Sequence, residues 1–126
     1  MATVLVVDDD PQGNNVLCRL LRLEGHRSMS ALTGEEALAT LEVERPNVVV
    51  LDIVMPGLSG IETLCRIRAN PLTAKLPVIM YTASEDPQSH RLAVENGASG
   101  YFRKGSMDFV LSLMIDGYAQ ASASAM

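Results

Sequence analysis

The chain has 126 residues, 48% of them hydrophobic, which suits one domain with a single core. Its formal net charge of −5 and the scatter of its basic residues argue against a direct nucleic-acid surface. No run approaches the roughly eighteen apolar residues of a membrane span. The N-terminus lacks a signal-peptide pattern, so a soluble, cytoplasmic protein is expected.

Short β-branched runs alternate with stretches of helical apolar spacing, which predicts an α/β fold on a parallel sheet. Thr3 to Val7 reads as a strand stopped by Asp8, Asp9 and Asp10. Pro11 fits the first turn of a helix with Leu17, Cys18, Leu20 and Leu21 on its apolar face and Gly25 at its end. Arg27 to Ala31, apolar only at Met29 and Ala31, suits an edge strand. Thr33 and Glu36 have capping-box spacing and open a helix that buries Ala37, Leu38 and Leu41 and stops before Pro46. Asn47 to Leu51 reads as a strand covered on both faces.

After a Pro56-Gly57 turn, Ile61, Leu64 and Cys65 mark one face of a third helix, and a loop from Pro71 to Pro77 precedes the strand Val78 to Tyr81, closed by Thr82. Asp86 and Pro87 start a fourth helix that ends near Gly97. Gly100 to Phe102 is the last strand, and Val110, Leu113 and Met114 mark the final helix. One domain is expected over residues 1–118, with 119–126 a short tail. Cys18 and Cys65 read as two reduced core thiols, and His26 and His90 as solvent-facing.

In an open parallel sheet the working site lies beyond the carboxyl ends of the strands, where strand order reverses. This sequence loads that edge: Asp8 and Asp9 follow the first strand, Asp52 the third and Thr82 the fourth, with Lys104 just past the fifth. If the first and third strands are neighbours, three carboxylates converge, and their repulsion calls for a cation. Oxygen ligands without a nearby His or Cys favour Mg²⁺ or Mn²⁺ over Zn²⁺. Such a centre suits a phosphate. Asp52, the single acid on its strand end, is the candidate nucleophile, leaving Asp8 and Asp9 for the metal; Lys104 and Thr82 could each hold a phosphoryl oxygen. Taken singly, each residue has a plainer account: an N-cap cluster at Asp8 to Asp10, a loop acid at Asp52, a backbone-bonded hydroxyl at Thr82, a solvated charge at Lys104 and an edge aromatic at Tyr101. Their joint placement favours a site.

The segments Val6-Val7-Asp8-Asp9, Leu51-Asp52-Ile53-Val54-Met55-Pro56-Gly57, Tyr81-Thr82-Ala83 and Tyr101-Phe102-Arg103-Lys104, in this order on these strand ends, resemble the receiver domain of two-component response regulators. The resemblance runs from Thr3 into the last helix. It implies a flavodoxin-like (βα)5 three-layer sandwich with strand order 2-1-3-4-5. It further implies phosphoryl transfer to Asp52 from a histidine kinase or phosphotransfer protein, and slow self-catalysed hydrolysis. No reaction beyond its own phosphorylation and dephosphorylation is expected.

By the same resemblance Mg²⁺ is held by Asp52, Asp9 directly, Asp8 largely through water, and the Val54 carbonyl, while Thr82 and Lys104 contact the phosphoryl oxygens. Thr82 and Tyr101 then shift and reshape the surface of the fourth helix, fifth strand and fifth helix, which a downstream protein reads. A stand-alone receiver is expected, monomeric or dimerising on phosphorylation, with no direct contact to nucleic acid or membrane. Gly105 stands where the family usually has a proline, commonly joined by a cis peptide. A cis bond before a non-proline costs about 3 kcal/mol, so a trans bond or a looser turn is expected. Val54 and Ser84, two residues beyond Asp52 and Thr82, fall where the family controls water access to the acyl phosphate.

Three other readings compete. A haloacid dehalogenase-like hydrolase would share the aspartyl nucleophile, but Asp8-Asp9-Asp10-Pro11-Gln12 fits its motif only partly and no cap domain is evident. A flavin-binding module would need a donor-rich loop where three acids stand. The third is a receiver that signals without phosphate, suggested by Gly105.

Overall fold

The computed structural model describes residues 2–83, 86–104 and 115–118. Three strands, β1 (Thr3–Val7), β3 (Val48–Leu51) and β4 (Val78–Thr82), are apolar almost throughout because both of their faces are covered. The two edge strands, β2 (Arg27–Ala31) and β5 (Gly100–Arg103), keep polar or part-exposed positions. All pairs are parallel and the order is β2-β1-β3-β4-β5, the flavodoxin-like topology. The chain winds one way from β1 to β2 and the other way from β3 onward, so the crevice opens between the carboxyl ends of β1 and β3.

Four helices, α1 (Pro11–Leu23), α2 (Gly34–Val43), α3 (Gly60–Ala69) and α4 (Pro87–Glu95), start at side chains that accept a bond from an early helical amide: Asp10, Thr33, Ser59 and Asp86. Each such cap is worth about 1 kcal/mol. Strand alternation then sends side chains to two cores. Leu5, Val7, Val49, Leu51 and Met80 meet α2, α3 and α4 through Leu41, Leu64, Ile67 and Ala93. Val4, Val6, Val48, Val50 and Ile79 meet Leu17 and Leu21 of α1 and Ile115, which lies in a helical stretch described over 115–118. Each fully buried Leu or Ile contributes about 2 kcal/mol. Val110, Leu113 and Met114 of the predicted fifth helix, and Ser84 and Gly105, lie outside the described residues.

The structure corrects three sequence expectations. Cys65 is exposed, its Sγ 3.1 Å from Asn96 Oδ1. The inward face of α3 is taken by Gly60, Thr63, Leu64 and Ile67, and a step of 100° past Leu64 carries residue 65 off it. Leu20 is 37% exposed, because Asn14, Leu17, Cys18 and Leu21 fill the inward stripe of α1. His26 is buried. Gly25, at φ 90°, turns the chain beneath the sheet, and the His26 ring then accepts a bond from the Ala2 amide at Nδ1, 3.1 Å, and meets Asp116 Oδ1 at Nε2, 3.1 Å. His90 is exposed, as expected.

Candidate functional site

The run of three acids after β1 divides its labour. Asp10 turns back as the N-cap of α1 and accepts from the Gln12 amide at 3.2 Å. Asp9 is exposed, and Asp8 is buried, one carboxylate oxygen accepting from the Asp10 amide at 3.0 Å. Asp8 is fixed from behind as well. Its own amide continues the ladder to Ala31, and the buried Asn14 amide group donates toward the carbonyls of Val6, Asp8 and Ala31 at 3.3, 3.2 and 3.0 Å. Asn14 was not singled out in the sequence. Its signal is a polar residue three and four places before Leu17 and Cys18, on the face otherwise given to the core.

Asp52 extends the β3 ladder one residue beyond the strand, its amide donating to the Val7 carbonyl at 2.9 Å. That bond sets it beside Asp8. The start of α3 packs against it closely enough that a methyl group on Gly60 would overlap the Asp52 carbonyl oxygen. Asp52 is 6% exposed, and its carboxylate accepts from the Val54 amide at 3.3 Å on Oδ1. Lys104 reaches in from the end of β5, its amide anchored on the Thr82 carbonyl at 2.8 Å. Its ammonium donates to Asp8 Oδ2 at 2.8 Å and to Asp52 Oδ2 at 2.9 Å, and lies 5.6 Å from the centre of the Tyr81 ring. The placement of Tyr81 beneath the ammonium was another feature unread in the sequence.

Burial pushes the Asp52 carboxyl above the usual carboxylate range; Lys104 and the Val54 amide oppose that shift, and the Asp8 charge adds to it. Burial alone would lower Lys104, yet its bonds to Asp8 and Asp52 and their charges hold its ammonium above the ordinary lysine range. The proton therefore stays on Lys104. Carboxylate oxygens of Asp8, Asp9 and Asp52 lie within 4.8 Å of one another, so a hard cation with oxygen ligands, such as Mg²⁺, fits the donor set. One ammonium does not neutralise three acids. A cavity of about 360 Å³ opens alongside, lined by Asp8, Gly13, Leu17, Tyr81 and Lys104 among others.

The remaining sequence candidates spread outward from this centre. Thr82 is buried at the end of β4, one element away from Asp52. Val54 is 67% exposed beside Asp52 in sequence. Tyr101, on β5, is half-buried and its ring lies 4.4 Å from that of His90 on α4. Burial raises the Tyr101 phenol, and the Asp86 charge adds to the effect.

A family model described as the response regulator receiver domain matches residues 4–115. Among curated proteins, the chain is 34% identical over 104 residues to protein PilH of Pseudomonas aeruginosa, covering 82% of this chain and 86% of that protein. It is 36% identical over 115 residues to the transcriptional regulatory protein AfsQ1 of Streptomyces coelicolor, covering 91% of this chain but only 50% of the relative. The chain thus spans half the length of AfsQ1. Among solved structures it resembles a response regulator receiver domain protein, CheY-like, from Methanospirillum hungatei, with a TM-score of 0.90, 25% identity and coverage of 100% and 99% of the two chains. A putative response regulator from Chloroflexus aurantiacus matches with a TM-score of 0.89 and 32% identity over 94% of this chain and 98% of that one. The strand order, the acids on the ends of β1 and β3, and these likenesses agree: this chain belongs to the response regulator receiver domain family.

Proposed function

We propose that Asp52 is the phosphoryl acceptor of this receiver domain and that the donor is a phosphohistidine on a histidine kinase or phosphotransfer protein. One observation carries the reading: a nearly buried Asp52 shares the Lys104 ammonium with Asp8 and lies in a cluster of three acids within 4.8 Å. An Asp52 carboxylate oxygen attacks phosphorus, the P–N bond breaks, and the donor imidazole leaves with the bonding pair. Lys104 exchanges a carboxylate oxygen for a phosphoryl oxygen, and the Thr82 hydroxyl donates to another. Asp8, Asp9, Asp52 and the Val54 carbonyl would hold Mg²⁺, which supplies neutralisation of charge on the phosphoryl oxygens.

Hydrolysis of the acyl phosphate needs a water in line with the breaking bond, and Val54 hinders its approach while the small Ser84 leaves room for it. The chain catalyses no reaction beyond its own phosphorylation and dephosphorylation. Movement of Thr82 and Tyr101 changes the face made by α4, β5 and the fifth helix, and a downstream protein reads that change, with the chain monomeric or dimerising on phosphorylation. Direct contact with nucleic acid is not expected at a net charge of −5. The test is labelling by a small phosphodonor such as acetyl phosphate. One phosphoryl group per chain is expected, dependent on Mg²⁺, abolished by chelation and absent in Asp52→Asn; labelling that survives that substitution would refute the assignment.

A further inference from the structure

The loop from Ile53 to Ser59, which joins β3 to α3, holds one oxygen of the Asp52 carboxylate: the Val54 amide donates to Asp52 Oδ1 at 3.3 Å. Its foot is tied by the Gly60 amide to the Ile53 carbonyl at 2.9 Å. Ile53, Met55 and Leu58 turn inward, each 7% exposed, while Val54 faces solvent. The tip is held from another element. Gly57, at φ 74°, reverses the chain so that the Leu58 amide donates to Glu35 Oε1 on α2 at 3.1 Å. The first turn of α2 lies directly against the same tip, since a methyl group on Gly34 would come within 3.2 Å of the Leu58 carbonyl oxygen and of its side chain.

We propose that Glu35 is a positioning residue for the phosphoryl site, acting through the Leu58 amide on the loop that orients Asp52. The proposal rests on the reading of Asp52, Asp8 and Asp9 as a Mg²⁺-binding acceptor site. A plainer role is available to Glu35, because an acid in the first turn of α2 favours that end of the helix dipole. The two roles separate chemically. Glu35→Gln keeps an oxygen acceptor for the Leu58 amide and loses the charge, whereas Glu35→Ala loses both.

The experiment compares the parent chain with Glu35→Gln and Glu35→Ala, measuring Mg²⁺ affinity by calorimetry and exchange of the Leu58 and Val54 amides by nuclear magnetic resonance. In Glu35→Ala the Leu58 amide should exchange about tenfold faster and Mg²⁺ affinity should fall about threefold, with Glu35→Gln within about twofold of the parent on both readouts. Parent-like Mg²⁺ affinity in Glu35→Ala overturns the proposal, as does a fall in Glu35→Gln equal to that in Glu35→Ala. Failure of the parent chain to bind Mg²⁺ at all overturns the metal reading and this proposal together, so the two failures are told apart.

Discussion

Both ends of the sheet hold buried or half-buried polar side chains, but they use them differently. At the amino-terminal ends of the strands, Arg68 donates to the carbonyls of Gly97 and Leu76 at 2.9 and 2.6 Å, and Thr73 donates to the Ile67 carbonyl at 2.7 Å. Asn47 accepts from the Thr3 amide at 2.8 Å, and His26 from the Ala2 amide at 3.1 Å. Each of these side chains completes a backbone group that a turn would otherwise leave unpaired. At the carboxyl ends, Asp8 and Asp52 also take backbone amides, yet their second oxygens converge on one ammonium, with Asp9 beside them. Buried polarity is therefore no sign of function by itself. An excess of like charge aimed at a common point is.

The contrast can be broken at either end. The largest effect is expected from Gly60→Ala, where the new methyl group would overlap the Asp52 carbonyl oxygen and sit 2.6 Å from the Ile53 Cα, all backbone that cannot rotate away. A loss of about 3 kcal/mol in urea unfolding is expected, together with weakened Mg²⁺ binding, because relief requires α3 to move off the Asp52 loop. Arg68→Ala should cost less, about 2 kcal/mol, since it strips donors from two carbonyls at the opposite end. Its Mg²⁺ affinity should match the parent's. An Arg68→Ala chain that loses metal affinity would show that the two ends are coupled through α3 and that the division drawn above is too sharp.

The sequence disclosed most where a single physical rule acts on a run of residues. β1, β3 and β4 were legible because a strand covered on both faces must be apolar throughout, and the helix starts were legible at Pro11 because its fixed φ and missing N–H suit a first turn, and at Thr33 and Asp86 because an orphan amide needs a nearby acceptor. The convergence of Asp8 and Asp52 followed from topology, since both close strands that pair side by side. What escaped depends on rotation about single bonds or on the path of a loop. His26 was read as exposed because nothing local reveals that Gly25 turns it under the sheet toward Ala2 and Asp116. Cys65 differs from Leu64 by one helical step. The bond from Leu58 to Glu35 spans 23 residues and two elements, beyond the reach of any periodicity.

The smallest predicted effect is the most diagnostic, because it concerns the sign of the electrostatics at Asp52. Its folded pKa is raised, first by burial and then by the charge of Asp8, so the folded chain binds this proton more tightly than the unfolded chain does. Such a group contributes stability that is full below its unfolded value and is lost as the pH rises through the raised folded value. At neutral pH the parent therefore carries a net cost, offset only in part by Lys104 and the Val54 amide, that an uncharged isostere lacks. Without Mg²⁺, Asp52→Asn should be more stable than the parent by about 1 kcal/mol at pH 7. Its advantage should shrink as acid restores the proton to Asp52, approaching zero below about pH 4. Added Mg²⁺ should reverse the ranking, since it would meet a cluster of three carboxylates in the folded parent and only two in the variant. Urea midpoints at both pH values, with and without Mg²⁺, test all of this. An Asp52→Asn chain less stable than the parent at neutral pH without metal would mean that attraction from Lys104 outweighs burial. The carboxyl end would then be a satisfied ion pair, no different in kind from Arg68 and its carbonyls.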